Sequence, residues 1–150
     1  MNDTVYSTVK DPEEIEILRD KISQYNDLVL SYNQKTIDLL KKNFTLKDSY
    51  YVMAKHGDEF VGFCSIDRDW WEDGFFMLRE IFVNPNFQKQ GVGEKLMGMC
   101  IEHARNNNAV GVVTETDFRN IPMQTLCKKF NFKEMNNPHW KEGITYKLLF

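Results

Sequence analysis

The hydrophobic pattern changes period once in the middle of the chain, and that change limits the possible folds more than any other feature. "FFMLREIFV", residues 75–83, is a mostly apolar run of strand length. Beyond Pro85, Leu96, Met97, Cys100, Ile101 and Ala104 recur at helical spacing, which predicts a helix from about Gly91 to Asn107. The join is "QKQGVG", Gln88 to Gly93, with two glycines one residue apart at the mouth of the helix. A strand that feeds a helix in this way belongs to a sheet covered by helices.

The flanking segments fit such a sheet. From Asp11 to about Ser31, Ile15, Leu18, Ile22, Tyr25 and Val29 are spaced as one helical stripe, with Asp11 as N-cap and Pro12 as first helical residue. A second helix is predicted from about Asn33 to Asn43, with Ile37, Leu40 and Phe44 facing inward. "YYVMAKH" and "EFVGFCSI" read as strands joined at Gly57-Asp58, which suits a type II′ hairpin turn, and "FFMLREIFV" is the third antiparallel strand of the series. "VGVVTET" is a buried strand, and Asn120-Ile121-Pro122 opens a helix that ends near Phe130, with Asn131 in the left-handed position. "NFKEM" and "GITYKLLF" are closing strands, and "TVYSTVK" is an additional candidate strand near the start.

Length and charge narrow the function. The 150 residues fit one domain, 1–150, and no repeat, low-complexity tract or linker divides them. A net charge of −3 without a block of five basic residues argues against a nucleic-acid partner. The polar, acidic start and the lack of an apolar run near ~20 residues argue against a signal peptide or membrane span, so a soluble, cytoplasmic protein is expected. Three separated cysteines, Cys64, Cys100 and Cys127, read as reduced thiols, and His56, His103 and His139 share no metal-ligand spacing.

The glycine pair fits neither common nucleotide loop. A dinucleotide fingerprint needs a third glycine at position 96, where Leu96 stands, and a phosphate-binding P-loop needs a Gly-Lys-Ser/Thr that is absent. Two readings remain: a tight strand-to-helix turn, or an anion site built from amides at the positive end of a helix dipole.

"LREIFVNPNFQKQGVGEKLM" resembles the signature of the GNAT superfamily of N-acetyltransferases. There a strand ending in Val-x-Pro leads through Gln/Arg-x-x-Gly-x-Gly/Ala into a helix, and Val83, Pro85, Gln88, Gly91 and Gly93 match. "NIPMQTLCKKFNF" is similar to the family's second element, with Asn120, Leu126 and Phe132 matching. The resemblance covers residues 50 to 150 and departs at two positions: Cys127 stands for the family's tyrosine and Asn131 for its glycine.

The resemblance implies an α/β (α+β) GNAT acyltransferase fold, a mixed central sheet with splayed parallel strands flanked by helices. Acetyl-CoA would lie in the gap between strands 75–83 and 110–116. Its pantetheine arm would pair with the backbone of Ile81, Phe82 and Val83, and its pyrophosphate would sit on the amides of Gln88, Lys89, Gln90, Gly91, Val92 and Gly93. Lys89 and Lys95 would add charge nearby, and Asn120 is counted with the cofactor-binding residues. A backbone N–H near Phe82 or Val83 would steady the oxyanion, with Glu80 as base and Cys127 as acid; Tyr146 is a fallback acid. For each side chain a bland role competes: a surface or ion-pairing carboxylate for Glu80, a small buried filler for Cys127.

Asp67, Asp69, Glu72 and Asp73 surround Trp70 and Trp71 in "DRDWWED", a composition suited either to a cationic amine or to a solvated hairpin loop. The expected function is acetyl transfer to an amine of a small-molecule acceptor. The alternatives are acetylation of a protein or peptide N-terminus and a non-catalytic coenzyme A-binding module. A homodimer is a reasonable expectation of the resemblance; a metal, a nucleic acid and a membrane are not expected.

Overall fold

The computed structural model describes residues 3–25 and 33–150. In chain order these form β1 (Thr4–Thr8), α1 (Glu13–Glu16), α2 (Leu18–Ser23), α3 (Gln34–Phe44), β2 (Tyr50–His56), β3 (Glu59–Asp67) and β4 (Phe75–Val83). A 3₁₀ turn at Pro85–Phe87 precedes α4 (Val92–Asn106), β5 (Gly111–Asp117), α5 (Ile121–Lys129), β6 (Lys133–Met135) and β7 (Gly143–Leu149). The candidate first strand is present, and Gly57 takes a φ of 61° between the paired His56 and Glu59, as the hairpin turn requires.

The first helix departs from its expected form. Instead of running unbroken from Asp11, it divides into α1 and α2 at Ile17, which keeps a helical φ of −71° and ψ of −18°, and its first turn is closed by short bonds, Glu14 N–H to Asp11 C=O and Ile15 N–H to Pro12 C=O, each 3.0 Å. Asp11 still caps, accepting from the Glu13 N–H at 2.9 Å, and Ile15, Leu18 and Ile22 remain one buried stripe. The expected continuation through Val29 to Ser31 lies outside the described residues.

The seven strands form one mixed sheet in the order β1-β2-β3-β4-β5-β7-β6, and only β4 and β5 are parallel neighbours. One face is covered by α4 and α5 over a core that includes Cys64, Leu78, Leu96, Met97, Val112, Cys127 and Tyr146. The other is covered by α1, α2 and α3 over Ile15, Leu18, Ile37, Leu40, Tyr51 and Phe63.

Two features of β4 position the site. Its pairing with β5 runs from Phe75–Gly111 only to Leu78–Thr114, after which β5 continues beside β7 to Asp117–Gly143 and one edge of β4 has no strand partner. At the same point β4 carries a bulge: Ser65 pairs with Glu80 and Ile66 with Leu78, so Arg79 is an extra residue. The bulge sets which way Glu80 faces. Ile81 and Val83 pack towards α4 and Phe82 towards the other layer, so strict alternation puts Glu80 on the face of Phe82. Without the extra residue, alternation from Leu78 would have turned Glu80 under α4.

Candidate functional site

Because β4 and β5 run parallel, the loop after β4 and the loop after β5 lie at the same end of the sheet, on either lip of the gap. The lip after β4 is the glycine loop. Lys89 and Gly91 adopt left-handed φ values of 64° and 80°, and Gly91 is the N-cap of α4. A left-handed residue followed by helical ones turns successive N–H groups to one side, an arrangement that cradles anions. The helix caps make the contrast sharp. Asn33 caps α3 and Asn120 caps α5 by accepting from Thr36 N–H at 3.0 Å and Met123 N–H at 3.2 Å, but no side chain caps α4. The first-turn donors of α4 are therefore left to solvent or a ligand.

The space above the loop fits an anion. A Cβ built on Gly91 meets nothing within 4 Å, and one on Gly93 meets only Val83 Cγ2 at 3.5 Å and Leu126 Cδ2 at 3.6 Å, ordinary contacts. Packing within the protein does not demand a glycine at either place. An open groove lined by Gly91, Glu94, Lys95, Gly98 and Phe130 leads away from the loop. Gln88, Lys89 and Gln90 are exposed, as is Lys95, whose Nζ lies 5.2 Å from the Tyr6 ring. Val92 is buried beneath the loop, while Ile81, Phe82 and Val83 are half-buried along the free edge of β4. Asn120 uses its side-chain oxygen to cap α5 on the opposite lip.

On the face away from α4, Glu80 is half-buried, and its backbone N–H donates to Ser65 Oγ at 3.2 Å. Across the gap on β5, Glu115 shares that face; Asn137 Nδ2 donates to its Oε2 at 3.1 Å, and burial pushes its carboxyl above the ordinary glutamate range. Sequence reasoning did not single out Glu115, and only the "TET" alternation hinted at a polar residue facing the gap.

Most carboxylates of the acidic tryptophan loop are engaged within the fold. Asp67 is fully buried and paired with Arg79, Nε to Oδ2 at 2.8 Å and Nη2 to Oδ1 at 2.9 Å. Arg79 Nη2 also donates to the Asp69 carbonyl at 2.7 Å, and Asn43 Nδ2 donates to the Asp69 carboxylate at 3.2 Å. Glu72 accepts from Trp70 Nε1 at 3.0 Å and Lys147 Nζ at 2.9 Å. Three of the four carboxylates thus hold the loop to α3, β4 and β7, although the Asp69 side chain is still 57% exposed; Asp73 is exposed as well. Trp71 stays 50% exposed with the His139 ring edge-on at 5.0 Å. No group of His, Cys, Asp or Glu among the described residues could hold a metal ion.

Cys127, on the inner face of α5, lies in the core, 0% exposed, and burial pushes its thiol up to about 12. Those surroundings favour a packing role. Cys127→Ala is expected to cost about 1 kcal/mol of stability and to leave kcat within two- or three-fold; a fall of tenfold or more at unchanged KM would return it to the acid role.

The comparisons agree with this geometry. The model of the acetyltransferase (GNAT) family matches residues 15–132, well over half of the chain. Among curated proteins, streptothricin acetyltransferase A of Bacillus subtilis is 31% identical over 72 residues, covering 48% of this chain and 40% of that protein. The uncharacterized N-acetyltransferase YhfO of the same species is 22% identical over 98 residues, 63% of this chain and 66% of that one, so the chain spans less than two thirds of either relative. An acetyltransferase of the GNAT family from Staphylococcus aureus superposes with a TM-score of 0.76 at 16% identity, covering 97% of this chain and 98% of that one. A Salmonella typhimurium protein solved with its cofactor acetyl-CoA gives 0.76 at 13% identity, over 99% and 94%. No helix among the described residues is long and apolar enough to cross a membrane. A strand that leaves its parallel neighbour, runs through a left-handed glycine into an uncapped helix and carries the family's motif there makes the chain a member of the GNAT acetyltransferase family.

Proposed function

We propose that the protein transfers the acetyl group of acetyl-CoA directly to an amine of a small-molecule acceptor. The observation that carries this reading is the N-terminus of α4, which lacks a side-chain cap and opens on Gly91 at φ 80° where β4 has parted from β5. The amides from Gln88 to Gly93 would hold the pyrophosphate, and the free edge of Ile81, Phe82 and Val83 would take the pantetheine arm as an added strand. The donor brings an activated thioester; the chain's contribution is to hold it and to manage a proton. Glu80, on the face opposite α4, would accept the proton of the attacking amine, and Glu115 across the gap supplies a second carboxylate suited to an ammonium. The curated relative named for streptothricin favours a small acceptor over a protein N-terminus.

Thiol release from acetyl-CoA across polyamines, aminoglycosides, amino acids and peptides tests the reading. Acceptor-dependent release with a small amine supports it; release only with peptides selects the protein-acetylating alternative, and binding without release selects a coenzyme A-binding module. With the best acceptor, Glu80→Gln is expected to lower kcat by about 10²–10⁴-fold while acetyl-CoA affinity stays within two-fold. Equal losses in both would make Glu80 a structural residue.

A further inference from the structure

One step beyond the Leu78–Thr114 pair, two glutamates face each other across the gap. On β4 the bulge makes Arg79 an extra residue, so the next paired position is Glu80, opposite Ser65 of β3. On β5 the next residue is Glu115, opposite Thr145 of β7. The row across the sheet therefore runs from Tyr51 through Ser65 to Glu80, and beyond the gap from Glu115 to Thr145. Directly paired residues share a face. Tyr51 belongs to the core away from α4, and Val113, two residues before Glu115, packs with Phe75 and Met77 apart from the α4 core. Glu80 and Glu115 thus stand on one face, their backbones farther apart than the ~4.8 Å of paired strands because the strands have parted.

The charge of Glu115 has no counterion within the fold. It is half-buried, and among the described residues it makes no ion pair; the cation that acts on it, Arg79, is already held by two bonds to the buried Asp67 and lies 3.7 Å from the Asp69 carboxylate. Burial and, more weakly, Glu142 raise its carboxyl, and Arg79 and Asn137 offset only part of that. Asn137 fixes the side chain in place. At 4% exposure its Nδ2 donates to Glu115 Oε2 at 3.1 Å and to Thr145 Oγ1 at 3.2 Å, while its Oδ1 accepts from the His139 N–H at 2.9 Å. A glutamine at 115 would accept the same Asn137 bond, so the fold needs an oxygen there and not its charge.

We infer that Glu115 binds a second, non-reacting ammonium of the acceptor, and that the acceptor is a diamine whose nitrogens span the gap from Glu80 to Glu115. This rests on the acetyl-transfer reading above and names the acceptor class of that site. The two nitrogens need opposite treatment, because an alkylamine is protonated up to about pH ~10.4 and only a neutral nitrogen attacks. The attacking nitrogen gives its ammonium proton to water first and a second proton to Glu80 as it joins the acyl carbon. The electron pair of the broken carbon–sulfur bond leaves on sulfur, and the far nitrogen keeps all three protons against Glu115. A hydrogen bond between an ammonium and a half-buried carboxylate is worth more than one at the open surface, so the preference is for the second charge and not for chain length.

The test compares acceptors that differ only in the far group. Diaminopropane, diaminobutane and diaminopentane, each beside the amino alcohol of the same length, are titrated by calorimetry into the protein saturated with desulfo-coenzyme A. The same pairs are then compared by thiol release from acetyl-CoA. In the wild type the best diamine is expected to exceed its amino alcohol by about ten- to a hundredfold, both in affinity and, through KM, in kcat/KM. Glu115→Gln, which keeps an oxygen for Asn137, should bring both ratios to within about three-fold, and Glu115→Asp should fall between. A wild-type ratio near one overturns the assignment, as does a ratio that survives in Glu115→Gln. A loss in Glu115→Gln shared equally by diamine and amino alcohol overturns it too, by making Glu115 part of the proton chemistry or of the fold. If the diamine binds with the expected ratio and no amine releases thiol, the transfer reading fails while Glu115 stands as an ammonium site.

Discussion

Gly91→Asp and Gly93→Asp should each weaken acetyl-CoA binding roughly a hundredfold or more while leaving the protein folded. A unit charge placed about 4 Å from one phosphate costs about 4 kcal/mol at an effective dielectric of 20, and the exposure of the loop reduces that without removing it. The side chains have room, since a Cβ at 91 meets nothing within 4 Å and one at 93 makes only ordinary contacts, so a binding loss is separable from a packing loss. Gly91→Ala is the control. It keeps the charge and pays only for a non-glycine residue at φ 80°, about 1–2 kcal/mol of stability. Calorimetric titration with acetyl-CoA, beside thermal melts of the three variants, gives the result. Affinity unchanged in both aspartate variants would remove the pyrophosphate from this loop.

The largest stability effect is expected at the bulge. Arg79→Met should destabilise by about 3–5 kcal/mol, a fall in Tm of roughly 10 °C or more, because it strands the carboxylate of Asp67 at 0% exposure. Asp67 would keep the Asp69 N–H at 2.9 Å and a long 3.4 Å bond from Asn43, too little to replace a two-pronged guanidinium. Arg79→Met with Asp67→Leu should recover most of the loss, since a buried ion pair contributes little over an apolar pair of similar volume. A single variant that melts within 2 °C of wild type would mean that water reaches Asp67. The single variant should also lower turnover, because it removes the Arg79 bonds to Asp67 and to the Asp69 carbonyl that fix the bulge immediately before Glu80.

The difference between these two sites is also the difference between what could be read from the chain and what could not. The glycine loop was legible because its requirements are local: a left-handed φ at Gly91 and an amphipathic helix behind it depend on residues a few positions apart. The Asn120 cap and the left-handed Asn131 were legible for the same reason. The acidic tryptophan loop was not, because its carboxylates meet partners brought by the fold; Lys147 lies 75 residues beyond Glu72. The unbroken first helix failed at Ile17, because a stripe of apolar residues suits one helix or two short ones in line equally well. Composition and period by themselves determined the strands, the helices from α3 onward and the loop between β4 and α4. Which face Glu80 takes, which carboxylates are neutralised within the fold and that the buried Tyr146 hydroxyl finds no hydrogen-bond partner among the described residues were decided only in three dimensions, because one residue's slip in strand register reverses every side chain after it.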